Sequence, residues 1–283
     1  GLEAIPSPSL LISPESVETN ITRMLEAVNG KSGLLRPHVK THKLGEVIQL
    51  QQKHGIDKVK CATPAEMEMA AKAGVADALL AYQPVGPNIK RLLQLRKDYP
   101  KTRFSAVVDC PEIAECISRR IEDEGDEPIT LFIDLDTGMH RTGIASGDGA
   151  VVLAKLIDDD DFLEFGGIHA YDGHIHQSDV TSRRAAFLKS LEVVHDFVDN
   201  LSRAGVEIPV VVAGGSPTFA MHAEFAQESA IPWECSPGTT LLWDAGYGTN
   251  HPDLEFETAA GLLTRVISKP QAGHLCLDLG HKS

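Results

Sequence analysis

Short apolar runs alternate with longer amphipathic segments from about residue 34 to about residue 238. Short apolar runs are typical of buried strands, and apolar positions at i, i+3 and i+4 are typical of helices. Helical spacing is clearest in the longest predicted helix, Arg183–Arg203. The pattern predicts eight strands, which are Leu35–Lys40, Lys58–Ala62, Ala78–Tyr82, Phe104–Asp109, Ile129–Leu135, Leu163–Tyr171, Pro209–Ala213 and Ile231–Cys235.

Eight alternations of strand and helix favour an α/β fold, a (β/α)8 TIM barrel, with a doubly wound open sheet as the alternative. Ser9–Ile12 and Ala260–Leu279 also have strand character, and they predict a second, β-rich domain built from both chain ends. We expect the C-terminal part of that domain to be incomplete at Ser283. The predicted parts are 1–20 (a segment of the β domain), 21–245 (the barrel) and 246–283 (the start of the C-terminal β domain).

Two predicted helices begin with a capping residue, a proline and an acid. The sequences are Thr63-Pro64-Ala65-Glu66 and Asp109-Cys110-Pro111-Glu112. They predict N-caps at Thr63 and Asp109.

Charge and composition exclude several classes of protein. The chain has 26 Lys+Arg and 40 Asp+Glu in 283 residues, a net charge of −14, and no basic run for a nucleic acid or a membrane surface. No apolar run approaches the roughly 20 residues that span a bilayer, and the five cysteines are scattered without a CxxC pair. We expect a cytoplasmic protein without disulfides.

Glycine-rich turns follow the last two predicted strands, and such turns hold a phosphate in many barrels. They are Gly214-Gly215-Ser216 and Gly238-Thr239. Each turn alone is weak evidence, because a glycine turn needs no ligand. Two at consecutive strand ends, in an acidic chain, favour a phosphorylated ligand with backbone N–H groups as donors.

Lys40 ends the first predicted strand, close to Arg36, His38 and His42. A lysine at the inner end of a buried strand loses hydration and tends towards the neutral amine that attacks carbonyls. A lysine beside a phosphate site indicates pyridoxal 5'-phosphate.

His174 and His176 have a spacing that also occurs in metal-dependent barrel hydrolases, which is a non-cofactor alternative. Such hydrolases usually need the pair on the first strand, where this chain has a lysine. A histidine at this place also serves as a general base.

Several motifs together resemble the fold-type III pyridoxal-phosphate enzymes, in particular the D-threonine aldolase and D-serine dehydratase family with its alanine racemase-like N-terminal barrel. The resemblance covers nearly the whole chain. The motifs are Arg36-Pro37-His38-Val39-Lys40-Thr41-His42-Lys43, Asp136-Thr137-Gly138, Arg141-Thr142-Gly143, His169-Ala170-Tyr171-Asp172-Gly173-His174, Gly214-Gly215-Ser216-Pro217-Thr218, Ser236-Pro237-Gly238-Thr239 and Asp244-Ala245-Gly246-Tyr247.

The resemblance implies a homodimer in which Lys40 holds pyridoxal 5'-phosphate as a Schiff base. Arg141 would contact the cofactor phenolate or the substrate carboxylate, and Tyr171 would lie against the ring or its nitrogen. The other cofactor-binding residues are expected to be His38, Gly215, Ser216, Gly238 and Thr239. A divalent metal, Mn or Zn, is also implied, but its ligands are expected beyond Ser283.

The function that we predict is a lyase acting on a β-hydroxy D-amino acid. In a D-threonine aldolase-like reaction, His174 or His176 removes the proton of the β-hydroxyl group, and glycine and an aldehyde form. In the D-serine dehydratase alternative, Lys40 abstracts the α-proton, and pyruvate and ammonia form. An amino-acid racemase and a non-catalytic pyridoxal-phosphate-binding protein are further alternatives.

Overall fold

The computed structural model describes residues 1–280 of the chain. Its strands are β1 (Ser9–Ile12), β2 (Lys58–Cys61), β3 (Asp77–Leu80), β4 (Arg103–Val108), β5 (Ile129–Asp134), β6 (Leu163–Ala170), β7 (Val211–Ala213), β8 (Trp233–Cys235), β9 (Ala260–Leu263), β10 (Val266–Ser268) and β11 (Cys276–Leu277). Its α-helices are α1 (Pro14–Ala27), α2 (Gly45–Lys53), α3 (Pro64–Lys72), α4 (Pro87–Asp98), α5 (Pro111–Glu124), α6 (Asp148–Asp158), α7 (Val180–Arg203), α8 (Phe219–Glu228) and α9 (Ala245–Asn250). Short 3-10 turns occupy Leu2–Ala4, Ser32–Leu34, Val39–Thr41 and Thr239–Leu241.

One parallel sheet of seven strands, β2 to β8, follows the order of the chain. A doubly wound sheet reverses its strand order, so this order excludes that alternative among the described strands. The sheet curls, and its two edge strands approach the same segment of chain. Leu35 forms a parallel bridge to Cys235 of β8, and His38 forms one to Lys60 of β2.

The predicted first strand, Leu35–Lys40, is wrong in its bounds. Only isolated bridges at Leu35 and His38 remain, and Val39–Thr41 forms a 3-10 turn. The cause is local, because the Nδ1 atom of His38 accepts a hydrogen bond from the backbone N–H of Lys40 at 3.2 Å. The other seven predicted strands are confirmed within about two residues at each end.

Side chains alternate between the two faces of the sheet, and each face has its own apolar core. The outer face packs against the helices in the main core, which includes Val59, Ala78 and Leu80. On the inner face a separate apolar cluster, called here the inner belt, consists of Leu79, Val107, Phe132 and Val212.

At the amino ends of the strands, beneath the inner belt, lies a group of paired charges that we call the amino-end cluster (Arg36, Lys58, Asp77 and Glu234). The guanidinium of Arg36 is buried, and it donates from Nε to Glu234 at 2.5 Å and from Nη1 to Asp77 at 2.6 Å. Lys58 forms an ion pair with the same Glu234. Two cations and two carboxylates therefore compensate each other. These carboxylates hold the pKa of Arg36 above its ordinary value although burial opposes them.

A β-bulge interrupts the pairing of β5 with β6. Leu131 pairs with Phe165, but Phe132 pairs with Gly167, so Gly166 is an extra residue on β6. A Cβ atom at Gly166 would lie 2.6 Å from the Phe132 ring, and Gly167 has a φ of +117°. Beyond the bulge, His169 lies opposite Asp134 on the inner face.

The two ends of the described chain meet, because β1 pairs antiparallel with β9. β10 and β11 form a second antiparallel pair, so the predicted β character of Ala260–Leu279 is present in part. The predicted segment 246–283 ends in residues 281–283, which lie outside the described residues. No helix within residues 1–280 is both long and apolar enough to cross a bilayer.

The capping predictions have different outcomes. Thr63 is the N-cap of α3, and its side chain accepts a hydrogen bond from the backbone N–H of Glu66. The cap predicted at Asp109 is wrong: Cys110 is the N-cap of α5, and no side chain caps it. The carboxylate of Asp109 instead accepts a hydrogen bond from the N–H of Gly143 at 3.0 Å.

Candidate active site

A cleft opens at the carboxyl ends of the strands and brings most of the predicted site residues together. Its lining comes from the segment 38–40, the turn after β6, and the turns after β7 and β8. The predicted residues that line it are His38, Lys40, Tyr171, His176, Gly215, Ser216, Gly238 and Thr239. An adjoining recess shares three of them and adds Lys60, Ala81, Arg141 and His169.

Lys40 lies in the 3-10 turn at the rim of the cleft, where part of its side chain is open to solvent. The expectation that Lys40 ends a buried strand is therefore wrong. Its Nζ atom nevertheless approaches the centroid of the Tyr171 ring to 5.4 Å. Lost hydration and the nearby Arg141 both lower the pKa of Lys40. The amine consequently loses its proton more readily than a free lysine does.

Tyr171 lies at the centre of three cations, which we call the site cations (Lys40, Lys60 and Arg141). Their charged groups lie 5.3 to 5.4 Å from its ring centroid. The ring can occupy this place because residue 173 is glycine, since a Cβ atom there would lie 2.3 Å from Cε1 of Tyr171. Within residues 1–280, none of the three cations forms an ion pair.

The floor of the recess is a buried chain of three polar side chains on the inner face. Asp134 Oδ1 lies 2.7 Å from His169 Nδ1, and His169 Nε2 lies 3.3 Å from Lys60 Nζ. Burial and the charge of Lys60 lower the pKa of His169, which leaves its ring neutral. Burial opposes ionisation of Asp134, but its interactions with His169, Thr142 and Lys60 together outweigh burial and lower the pKa of Asp134. A carboxylate cannot donate, so Nδ1 carries the proton and Nε2 accepts from Lys60.

A second buried pair lies behind the glycine turn after β7. The Nε2 atom of His222 lies 2.9 Å from Asp172 Oδ2, and both residues are almost fully buried. A hydrogen bond from His222 lowers the pKa of Asp172 although burial opposes this. A Cβ atom at Gly214 would lie 2.4 Å from the His222 ring, so glycine allows this close packing. The pair therefore fixes the turn that lines the cleft.

Neutral hydrogen-bond donors converge at the ends of β7 and β8. The backbone N–H groups of Gly238 and Thr239 both donate to Ser216 Oγ, at 3.2 and 2.9 Å. A side chain at position 238 would crowd the carbonyl oxygen of His38, because its Cβ atom would lie 3.1 Å away. Two amides aimed at one oxygen, beside a hydroxyl group and glycine backbone, suit a phosphate group.

The two candidate histidines differ in position. His176 is exposed and lines the cleft together with Lys40 and Tyr171. His174 faces the loop after β5, where a Cβ atom at Gly138 would lie 3.1 Å from its Nε2 atom, and its buried Nδ1 atom has no hydrogen-bond partner within residues 1–280. Of the two histidines, only His176 belongs to the lining of the cleft.

Residues 1–280 contain no group of three His, Cys, Asp or Glu side chains arranged to hold a metal ion. The ligands of the divalent metal that the resemblance implies are expected outside the described residues, so that metal stays a prediction. All five cysteines are free thiols, and burial raises the pKa of Cys61 and Cys235.

Sequence reasoning missed Lys60, Asp134 and His222 as parts of the site. Lys58 and Lys60 alternate with apolar residues, and this pattern is also typical of a strand with one solvent-exposed face. One signal was available. A strand inside a parallel sheet is covered on both faces, so a polar residue in its middle needs a partner or a ligand.

A curled parallel sheet carries Lys40 at its carboxyl edge, in the same cleft as the donors of Ser216, Gly238 and Thr239, which we call the phosphate cradle. This arrangement defines the class of fold-type III pyridoxal-phosphate enzymes. The comparison with known families agrees, because residues 12–241 match the family described as "Alanine racemase, N-terminal domain". The chain belongs to this family.

Two curated relatives match almost the whole chain. A D-threonine aldolase of Arthrobacter sp is 27% identical over 100% of this chain and 73% of its own length. A 3-hydroxy-D-aspartate aldolase of Paracoccus denitrificans is 29% identical over 99% of this chain and 73% of its own length. D-serine dehydratases are also among the relatives.

The crystal structure of D-threonine aldolase from Filomicrobium marinum has the same fold. Its TM-score is 0.89 at 28% identity, and the match covers 98% of this chain and 74% of that chain.

Proposed function

We propose that this protein is a pyridoxal 5'-phosphate-dependent lyase that cleaves a β-hydroxy D-amino acid into glycine and an aldehyde. The observation that carries the proposal is one cleft in which Lys40 faces the amide donors of Gly238 and Thr239. Relatives named D-threonine aldolase and 3-hydroxy-D-aspartate aldolase, which match nearly the whole chain, support the choice of reaction.

The residues of the cleft fit the cofactor. The phosphate group would lie against the turns of Gly215, Ser216, Gly238 and Thr239, which line the cleft and carry neutral donors. Lys40 would hold the cofactor covalently, since its amine is accessible and its lowered pKa favours the neutral form. When bound, pyridoxal phosphate supplies an electron sink for the bond that breaks next to Cα.

Three further residues position these groups. His38 accepts the backbone N–H of Lys40 and so fixes the turn that presents the amine. Arg141 would bind the cofactor phenolate or the substrate carboxylate, because it is a cation without an ion-pair partner in the described chain. Tyr171 lies close to both Lys40 and Arg141, and its ring would support the cofactor ring.

A general base must take the proton of the β-hydroxyl group as the bond between Cα and Cβ breaks. We assign this role to His176, because its ring lines the cleft beside Tyr171. His174 is the second candidate, since its unpartnered Nδ1 atom can accept a proton. A divalent metal, Mn or Zn, stays part of the proposal, and its expected ligands lie outside the described residues.

Dehydration of D-serine is the second candidate function, and the accessible amine of Lys40 favours it. An amine with a lowered pKa can abstract the α-proton, after which loss of the β-hydroxyl group gives pyruvate and ammonia.

Several expectations about the whole protein extend this proposal. We propose a (β/α)8 barrel over residues 21–245 that segment 35–38 closes between β8 and β2. We also propose that residues 1–20 and 246–283 contribute to one β domain, as the pairing of β1 with β9 supports, and that the protein is a homodimer.

The test uses the full chain and begins with its absorption spectrum. Addition of pyridoxal phosphate should produce a band near visible wavelengths. Lys40→Ala should abolish this band, whereas Lys43→Ala, three residues further along the chain, should retain it. Failure of the wild-type protein to take up the cofactor would overturn the proposal.

The second stage identifies the reaction. The loaded protein is incubated with D-threonine and with D-serine, with and without manganese or zinc, and glycine is separated from pyruvate. Glycine with an aldehyde supports the aldolase, and pyruvate with ammonia supports the dehydratase. A loaded protein that converts neither substrate would contradict both lyase assignments.

A further inference from the structure

Lys60 is a buried cation for which the proposed mechanism has no role. It lies in the middle of β2, and its relative exposure is 1%. Its register partner is Leu79 of the inner belt, so its side chain belongs to the inner face. Its Nζ atom reaches the recess that Arg141 and Lys40 also line.

No carboxylate within residues 1–280 forms an ion pair with Lys60 directly. Its one hydrogen bond within residues 1–280 goes to His169 Nε2, a neutral acceptor. The nearest carboxylates, Asp134 and Asp172, are hydrogen-bonded to His169 and His222 and act on Lys60 only from a distance. The other ionisable groups that face it are Lys40, Arg36, His38, Arg141 and Tyr171, and the first four add positive charge or stay neutral.

A buried ammonium group without a counter-ion is unfavourable, so either the amine gives up its proton or an anion pairs with it. Burial and the charge of Lys40 lower the pKa of Lys60 to about 7. The amine is therefore ready to release its proton, and an anion in the recess would hold the proton in place.

We propose that Lys60 is a ligand-binding residue that pairs, together with Arg141, with an anionic oxygen inside the recess. This inference rests on the proposed function, because the oxygen would belong either to the cofactor, as its phenolate, or to a carboxylate of the substrate. In the second case, the substrate is a dicarboxylic β-hydroxy D-amino acid. Lys60 would then be the residue that selects it over D-threonine or D-serine.

The test compares the wild-type protein with Lys60→Met, which keeps an unbranched side chain and removes the charge. Lys72→Met is the control, because it makes the same change at an exposed lysine paired with Glu68. Lys60→Gln is a second variant in case Lys60→Met does not fold.

The first arm measures the absorption spectrum of the bound cofactor against pH, without substrate. If the oxygen is the phenolate, removal of the cation should shift the midpoint of the spectral transition by about one pH unit or more, and Lys72→Met should shift nothing.

The second arm titrates the protein with succinate and with propionate, neither of which carries an amine that could react. If the oxygen is a substrate carboxylate, Lys60→Met should weaken succinate binding about 30-fold or more and leave propionate binding nearly unchanged. Calorimetry on the cofactor-free protein gives the same comparison without a chromophore.

The outcomes separate the two proposals. A spectral shift assigns the oxygen to the cofactor, and a loss of succinate affinity alone assigns it to the substrate. If both Lys60 variants match Lys72→Met in both arms, the inference about Lys60 is overturned while the proposed function stands. If the wild-type protein takes up no cofactor, the proposed function fails, and calorimetry with succinate still decides the role of Lys60.

Discussion

The inner face of the sheet carries charged groups at both ends, and the two ends are built differently. The amino-end cluster joins two cations and two carboxylates by direct hydrogen bonds. At the carboxyl ends, the three site cations surround one aromatic ring and have no ion-pair partner within residues 1–280. The inner belt separates the two groups. The charges of the amino-end cluster are neutralised within the chain, whereas we propose that a ligand neutralises the site cations.

The largest loss of stability is expected when a cation of the amino-end cluster is removed. Arg36→Met would leave the buried Glu234 with Lys58 as its only cation and the half-buried Asp77 without one, and the free energy of unfolding should fall by about 3–5 kcal/mol. Urea unfolding of the cofactor-free protein measures this change. Arg103→Met is the control, because Arg103 lies 3.8 Å from Glu164 at the surface, where an ion pair contributes about 1 kcal/mol or less. Equal losses of stability in both variants would show that the buried ion pairs contribute no more than the exposed one.

The pH dependence of stability tests how the site cations at the carboxyl ends differ from the amino-end cluster. The pKa of Lys60 is about 7 in the folded protein against 10.5 ordinarily, so between these values the unfolded chain binds a proton that the folded chain has released. Stability should therefore rise from pH 7 towards pH 10.5 and be lost as pH falls, by at most about 1.4 kcal/mol per pH unit. Urea unfolding of cofactor-free Lys60→Met should show a flatter profile. Identical profiles in wild type and variant would mean that Lys60 keeps an ordinary pKa.

A smaller loss of stability is expected when Asp134, at the floor of the recess, is changed. Asp134→Asn removes the charge that holds the proton on His169 Nδ1, and stability should fall by about 1–3 kcal/mol. Nitrogen NMR of the histidine rings should then show a mixture of the two tautomers of His169. Asp98→Asn, at an exposed position, should change stability by less than about 0.5 kcal/mol. A single unchanged tautomer in Asp134→Asn would show that Lys60 alone orients the ring.

The smallest effect is expected at the phosphate cradle, whose donors are neutral. Ser216→Ala removes one hydroxyl group but leaves the amides of Gly238 and Thr239, so the cofactor should bind about tenfold more weakly at most. Titration with pyridoxal phosphate, followed by absorbance, measures the affinity. Ser178→Ala on the exposed turn before α7 should bind like wild type. A complete loss of binding in Ser216→Ala would mean that the hydroxyl group, and not the backbone, holds the phosphate.

Periodicity was enough to predict seven strands of the sheet, because a strand covered on both faces reads as an apolar run. It failed at residues 35–40, where the side chain of His38 binds the backbone of Lys40 and turns the chain. The capping pattern failed at Asp109, whose carboxylate accepts a hydrogen bond from Gly143, 34 residues away, and leaves α5 without a side-chain cap. A local pattern does not report such competing bonds.

The residues of the candidate site also differ in whether the sequence alone predicts them. Residues in recognisable turns, such as Lys40, Ser216 and Gly238, could be predicted from the motifs and their order. The role of Lys60 could not, because its sequence neighbourhood looks like that of Lys58. Only the curled sheet shows that Lys58 joins a neutralised cluster while Lys60 reaches a recess.

The bulge at Gly166 decides which side chains of β6 face the site. Side chains alternate along a regular strand, so an extra residue that is paired in the ladder exchanges the two faces for every residue that follows. Gly166 is instead left unpaired, and His169 therefore stays opposite Asp134. If Gly166 were paired with Phe132 in a regular ladder, Ile168 would lie opposite Asp134, and His169 would point into the helix layer. Deletion of Gly166 should accordingly keep His169 on the inner face, whereas a further residue inserted and paired between Gly167 and His169 would turn His169 away and dismantle the floor of the site.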